Sequence, residues 1–240
     1  MKSENVMECH SLTKSFSGKK ALDNVELAIG RGKIIGLLGP NGSGKTTLIK
    51  ILNGLLRPTS GEVLIDGEKP GVYTKSIISY LPDKTYFADW MKVGDIFDMF
   101  GAFYSDFDRK KAEKMCGSLG IDPEERIKTM SKGTKEKVQL ILVMSRSAQL
   151  YLLDEPIAGV DPAAREYILS TIINNYNEEG TVIISTHLIS EIEKVLDEVV
   201  FLKNGRMVRH AAVDVIKEES GKSIDDVFRE TFRMVPDMGV

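Results

Sequence analysis

The sequence predicts an α/β fold: a mainly parallel sheet covered by helices, with an N-terminal antiparallel β subdomain and an inserted α-helical subdomain. Three observations predict it. Apolar runs alternate with helical patterns from about residue 149 onward, the arrangement of a parallel sheet with crossover helices. The run KIIGLL (33–38) is apolar enough for a strand covered on both faces, and it leads directly into a glycine-rich turn and a helix. Between about Thr85 and Ala148 the pattern is mostly helical, so a helical segment interrupts the core.

Along the chain, VMECHSLTKSF (6–16) and ALDNVELAIG (21–30) read as strands, followed by the buried run KIIGLL. A helix from about Gly44 to Asn53 follows, stopped by Gly54 and the turn RPTSG (57–61). EVLIDG (62–67) and SIISYL (76–81) read as further strands. The helical insert carries aromatic-rich VGDIFDMFGAFYS (93–105) and charged RKKAEKMCGSLG (109–120). Then come the strand QLYLLD (149–154), a helix opening at Pro162, the strand TVIIST (181–186), a helix over LISEIEKVL (188–196) and the strand EVVFLK (198–203). Residues 1–212 are expected to form the main domain, and 213–240 a short helical tail in which amphipathic SIDDVFRETF (223–232) packs back on the core.

With 240 residues, 42% hydrophobic and 28% charged, the chain is long enough for a sizeable core and ordinary in composition. A net charge of −3 argues against nucleic acid as the main partner. Cys9 and Cys116 lie far apart without metal-ligand spacing and read as free thiols; the three histidines are scattered, which leaves a zinc site unsupported. MKSENVMECH (1–10) lacks a signal-peptide apolar core, and no apolar run approaches the roughly 20 residues of a bilayer span. Membrane work is therefore expected only through a partner.

GPNGSGKT (39–46) matches G-x-x-x-x-G-K-[ST] at every fixed position, between a strand and a helix. Gly39, Gly42 and Gly44 let the backbone curl around anionic oxygens with its amides inward, and the helix N-terminus adds partial positive charge. Lys45 is placed to reach the β- and γ-phosphates and the Thr46 hydroxyl to hold Mg²⁺, so a P-loop nucleoside triphosphatase core is expected. In YLLDEP (151–156), Asp154 emerges at the carboxyl end of a buried strand, where it is suited to bind Mg²⁺ through water. Glu155 beside it is suited to polarising the attacking water. MSKGTKEK (130–137) admits three readings: a basic patch for nucleic acid, a helix start capped by Ser131, or a phosphate grip.

The order of these motifs resembles one family over Ser11 to about Arg209: the ATP-binding cassette (ABC) proteins, the motor subunits of ABC transporters. That order is P-loop, helical lobe, short signature, LLDEP, a GVDP loop and an STH strand end. The family signature LSGGQ falls here on Met130-Ser131-Lys132-Gly133-Thr134. Since cassettes of this family pair head to tail, the resemblance implies that Ser131, Lys132, Gly133 and Thr134 face the nucleotide held by a second cassette, identical or sister. It further implies that Gly39, Pro40, Asn41, Gly42, Ser43, Gly44, Lys45, Thr46 and Thr47 bind ATP, with Phe16 stacking on adenine. Asp161 matches the loop that crosses to the partner, and His187 matches the histidine that contacts the γ-phosphate and completes the catalytic set with Glu155.

Two positions depart from the family pattern. Asp83, in YLPDKT (80–85), stands where glutamine is usual; it keeps an oxygen ligand, and is expected to serve the metal site with Thr46 and Asp154. Lys132 replaces the first signature glycine, so the backbone there is either ordinary or strained. Lys135 and Lys137 are expected on a solvated or interfacial face.

The function implied is an ATPase (cofactors ATP and Mg²⁺) that closes on ATP, reopens on hydrolysis and drives a separate transmembrane permease from the inner face of the membrane. The lobe is expected to dock a permease helix near Asp83 and YFADW (86–90), with Trp90 on that surface or packed within the lobe. LYLLDEPIAGVDPAAR (150–165) and FYSDFDRKKAE (103–113) look most like small bacterial exporter cassettes, suggesting export of peptide, drug or antibiotic. The alternative is a soluble ABC ATPase acting on ribosomes or DNA. It is disfavoured by the single cassette and by the lack of a charged linker, long coiled coil or zinc arm. A kinase or GTPase leaves the signature region unexplained, and no NKxD is present.

Overall fold

The computed structural model describes residues 3–158, 160 and 162–232. Two sheets organise the chain. β1 (Asn5–Phe16) pairs antiparallel with β2 (Lys19–Gly30) on one side and with β4 (Ser60–Ile65) on the other. Alternating burial along β2 follows the two-residue period of a strand with one wet face. The second sheet runs β5–β6–β7–β3–β8–β9, built from β3 (Ile34–Leu38), β5 (Ile78–Leu81), β6 (Leu150–Asp154), β7 (Thr181–Thr186), β8 (Glu198–Lys203) and β9 (Arg206–Ala212). Its first five strands are parallel, and β9 closes the edge antiparallel to β8. The central strands are buried along their whole length, as expected of a sheet covered on both faces.

One face of this sheet packs against the antiparallel sheet and α1 (Lys45–Leu52) through Ile35, Leu37, Leu48, Ile49 and Val63. The other face packs against the helical lobe and the remaining helices. The lobe lies between β5 and β6 and contains α3 (Val93–Phe103), α4 (Arg109–Ser118) and α5 (Lys132–Met144). Its core joins Val93, Ile96 and Phe97 of α3 to Ala112 and Cys116 of α4 and Val138 to Met144 of α5. Both cysteines are free and buried.

Lobe and core are tied together by Arg146, whose side chain is 2% exposed. Its guanidinium donates from Nε and an Nη to the two Asp106 carboxylate oxygens at 2.9 and 3.1 Å, and from its Nη groups to the Ile78 and Ser76 carbonyls. The Tyr104 ring lies 3.8 Å away. A buried guanidinium demands such partners, because an unpaired one carries a heavy desolvation penalty.

Three local expectations are corrected. SIISYL is only partly strand, because its first two residues end a short helix, α2 (Val72–Ile77). The helix over LISEIEKVL is a single turn, α7 (Ile189–Ile192), continued by a 3₁₀ turn to Val195. β9 went unread: the Asn204-Gly205 turn, both residues at positive φ, folds RMVRHAA back along β8 as a hairpin. After α6 (Pro162–Asn175), α7 and β9, the tail helices α8 (Val213–Ser220) and α9 (Ile224–Phe232) return to the core. Phe228 meets Phe201 edge-on at 5.7 Å and lies 4.2 Å from Phe232, and Ile224 and Val227 are buried.

Candidate functional site

The site lies at the carboxyl ends of three neighbouring strands, β6, β7 and β3. β3 ends at Leu38 and delivers the glycine-rich loop, β6 ends on Asp154, and β7 leads to His187. Open parallel sheets gather ligands at this edge, because loops there leave the strands on one side.

Two glycines in the loop are required by space. A Cβ on Gly39 would lie 2.4 Å from the Leu202 carbonyl, and one on Gly44 would lie 2.5 Å from that of Ala21. Gly44 also sits at φ 110° immediately before α1, where a side chain is strained. No side chain caps α1, so its first-turn amides face the loop, and its dipole favours an anion there. The loop from Asn41 to Thr47, with Phe16, Ala21, Asp83 and Glu155, lines a cavity of about 350 Å³. Phe16 is half exposed at its mouth, and Lys14 Nζ stands 4.9 Å from the ring centre. Pro40 contributes its carbonyl, which accepts from the Ser43 amide at 3.1 Å.

Lys45 is 5% exposed; its ammonium donates to the Gly39 carbonyl at 2.7 Å and lies 3.4 Å from Glu155 Oε1. Glu155 Oε2 is 3.0 Å from His187 Nδ1, so ammonium, carboxylate and imidazole form a chain across the cleft. Glu155 holds φ 51°, a left-handed conformation that costs a non-glycine residue about 1 kcal/mol or more. Such strain is retained where the surroundings over-determine it.

Asp154 is fully buried at its strand end. Thr46 Oγ1 donates to its Oδ1 at 3.1 Å and Ser185 Oγ donates to the same oxygen at 2.7 Å. Oδ2 is buried without a hydrogen-bond partner among the described residues. Burial, with smaller contributions from Asp83 and Glu155, pushes the Asp154 carboxyl above its usual range, against the two hydroxyls. A buried carboxylate with one unpartnered oxygen beside a threonine hydroxyl fits a hard divalent cation, which takes oxygen ligands and offsets the desolvation. Asp83 is exposed on the same cavity wall, and its charge is felt at Asp154 and Tyr80.

The structure thus brings together Phe16, the loop, Asp83, Asp154, Glu155 and His187. Of the signature stretch, Ser131, Gly133 and Thr134 do not line the loop cavity, whereas Lys132 and Glu136 line an adjoining cavity with Asn41, Asp83, Glu155 and His187. Ser131 caps α5, its Oγ accepting from the Thr134 amide at 3.1 Å. Lys132 is the first helical residue, with ordinary backbone; its side chain is 82% exposed and reaches Glu136 only at 3.8 Å. Nothing lies within 4 Å of where a Gly133 side chain would begin, so this helix end presents open backbone. Lys135 and Lys137 are less free than expected: one reaches Asp89 at 3.3 Å, the other covers the Tyr167 ring at 5.8 Å. Asp161 lies outside the described residues. Ser185 is the residue the sequence reading passed over; its one signal is a hydroxyl inside the buried run TVIIST.

Comparison with known proteins identifies the family. The ABC transporter family model matches residues 22–158. The ABC transporter ATP-binding protein YtrB of Bacillus subtilis is 30% identical over 217 residues, covering 89% of this chain and 74% of its own. The SkfA peptide export ATP-binding protein SkfE of the same organism is 26% identical over 221 residues, covering 90% and 92%. A solved ATP-binding subunit of an ABC transporter superposes with a TM-score of 0.82 at 24% identity, over 95% of this chain and all of that one. The chain belongs to the ABC transporter family, as an ATP-binding subunit that hydrolyses ATP.

Proposed function

We propose that this chain powers a separate membrane permease by pairing with a second cassette around ATP and separating after hydrolysis. The constellation of Lys45, Thr46, Asp154, Glu155 and His187 at one strand edge supports this reading most directly. In it, Phe16 stacks on adenine, and the loop amides with Lys45 hold the phosphates. Thr46, with Asp154 through water and Asp83 beside it, would hold Mg²⁺, and the ion would supply positive charge against the phosphates. Glu155 accepts the proton of water as the water oxygen bonds to the γ-phosphorus and the bridging oxygen leaves with ADP. His187, hydrogen-bonded to Glu155, holds that carboxylate in register and lies toward the γ-phosphate.

Ser131 and the open backbone at Gly133 present a helix N-terminus to the phosphates of the second cassette, with Lys132 adding a cation. A groove between lobe and core is lined by Leu55, Tyr80, Tyr86, Phe100 and Phe103. Phe103 is 77% and Trp90 69% exposed, an apolar surface suited to a permease helix. No helix among the described residues is long and apolar enough to cross a membrane; in this reading the permease contact holds the chain at the inner face. Export is the direction proposed, with peptide, drug or antibiotic as cargo; the similarity to SkfE supports a peptide.

The test is Glu155→Gln. Steady-state hydrolysis is expected to fall about 100-fold or more, while ATP binding is kept. Near-normal turnover would place the base elsewhere.

A further inference from the structure

Both acidic residues at the end of β6 are held by one hydroxyl from the neighbouring strand. Asp154 and Ser185 are register partners in the parallel β6–β7 ladder. Ser185 is fully buried, and its Oγ donates its single proton to Asp154 Oδ1 at 2.7 Å. That leaves its lone pairs free, and one accepts the Glu155 amide at 3.1 Å. The same amide also reaches the Ser185 carbonyl at 3.0 Å. Glu155 therefore turns out of the strand, at φ 51°, with its N–H clamped between two oxygens of one residue.

We infer that Ser185 is a positioning residue for hydrolysis, its hydroxyl fixing at once the Asp154 carboxylate and the backbone turn that aims Glu155. The inference rests on the reading of Glu155 as the group that takes the proton from water. Two hydroxyls, from Thr46 and Ser185, converge on Asp154 Oδ1 and leave the buried Oδ2 as the unpartnered oxygen. On the Glu155 side, the clamp holds a backbone conformation that the residue does not favour alone. From that turn, the carboxylate spans Lys45 and His187. Without the hydroxyl, the Glu155 amide keeps only the carbonyl, Asp154 gains rotational freedom, and the carboxylate that must meet water loses its register. Misplacement of a reacting group by about 1 Å costs on the order of 100-fold in rate.

The test uses Ser185→Ala and Ser185→Cys in the full chain, each also combined with Glu155→Gln. Alanine removes the hydroxyl, whereas cysteine keeps the shape with a weak donor and acceptor. Both variants are expected to lower kcat about 10- to 100-fold with KM for ATP within about 2-fold, since the lost geometry concerns the attacking water rather than the held phosphates. In the Glu155→Gln background each is expected to lower the residual rate by less than it lowers the wild-type rate, because the part of the effect that acts through the Glu155 carboxylate is already removed while the part through Asp154 remains. Wild-type kcat in Ser185→Cys would show that shape alone matters and overturn the inference. So would full additivity of either change with Glu155→Gln. Failure of Glu155→Gln to slow hydrolysis would instead remove the role of Glu155, an outcome read in the single variant without any change at Ser185. If Ser185→Ala does not fold, the cysteine pair decides the question by the same criteria.

Discussion

Replacing Asp106 with alanine removes the counter-charge of the most buried cation joining lobe to core. Arg146 is 2% exposed and keeps only the Ile78 and Ser76 carbonyls and the Tyr104 face once Asp106 is gone. At an effective dielectric of about 20, unit charges about 4 Å apart attract by about 4 kcal/mol. Removing one member of a buried pair costs about 3–5 kcal/mol in general. Asp106 is 23% exposed and the guanidinium retains two acceptors, which places D106A at the lower end, about 3 kcal/mol. For a chain of this size that lowers Tm by roughly 6–12 °C. Guanidinium and thermal unfolding followed by circular dichroism measure it. The double variant D106L/R146M removes both charges but also the donor to the Ile78 and Ser76 carbonyls, so it is expected to recover only part of the D106A loss, to about 1–2 kcal/mol below wild type. A D106A loss below about 1 kcal/mol, or a double variant as unstable as the single one, would refute the argument that burial makes this pair indispensable.

Two further outcomes follow from the charges. Lys132 has ordinary helical backbone and one weak exposed contact, so K132G should change unfolding free energy by no more than about 1 kcal/mol. In a hydrolysis-deficient background it should weaken ATP-dependent pairing, measured by analytical ultracentrifugation; unchanged pairing would deny the lysine a role at the interface. Glu198 is partly buried, which raises its carboxyl pKa, yet its Lys33 and His210 partners hold it below the usual range. A depressed carboxylate contributes stability above its unfolded pKa, and that stability is lost as pH falls through the folded value. E198Q should therefore show a shallower loss of stability than wild type between about pH 5 and pH 3. Identical acid-unfolding profiles would show that the pair contributes nothing.

What was legible in the sequence was chemistry that local backbone performs. The phosphate loop announces itself because Gly39 and Gly44 sit where no side chain fits, and Lys45 and Thr46 follow at fixed offsets. YLLDEP reads as a buried strand with acids at its end because three apolar residues precede them. The amphipathic tail was likewise visible in its spacing, and its phenylalanines pack edge-on and tilted against Phe201. Harder to see was whatever depends on neighbours remote in sequence. Ser185 acquires its place only through pairing with a strand some 30 residues away. Arg146 reads as one more charge in a helix-rich segment until Ile78 and Asp106 close around it. SIISYL carries strand-like residues throughout, but Thr74 bonds back to Gly71 and starts a helical turn that consumes its first two. The lysine in the signature looked capable of straining the loop; the Ser131 cap settles it into an ordinary helix start.

The central claim is that two copies, or this chain and a sister, complete one another's ATP sites through Ser131 and Gly133. The most direct measurement is the mass of the purified Glu155→Gln variant by light scattering, with and without ATP and Mg²⁺, and again with Ser131→Ala added. The account predicts a monomer without nucleotide, a dimer with ATP, and loss of that dimer when Ser131 is removed. A Glu155→Gln chain that binds ATP yet stays monomeric at every concentration, or a dimer indifferent to Ser131, would contradict it.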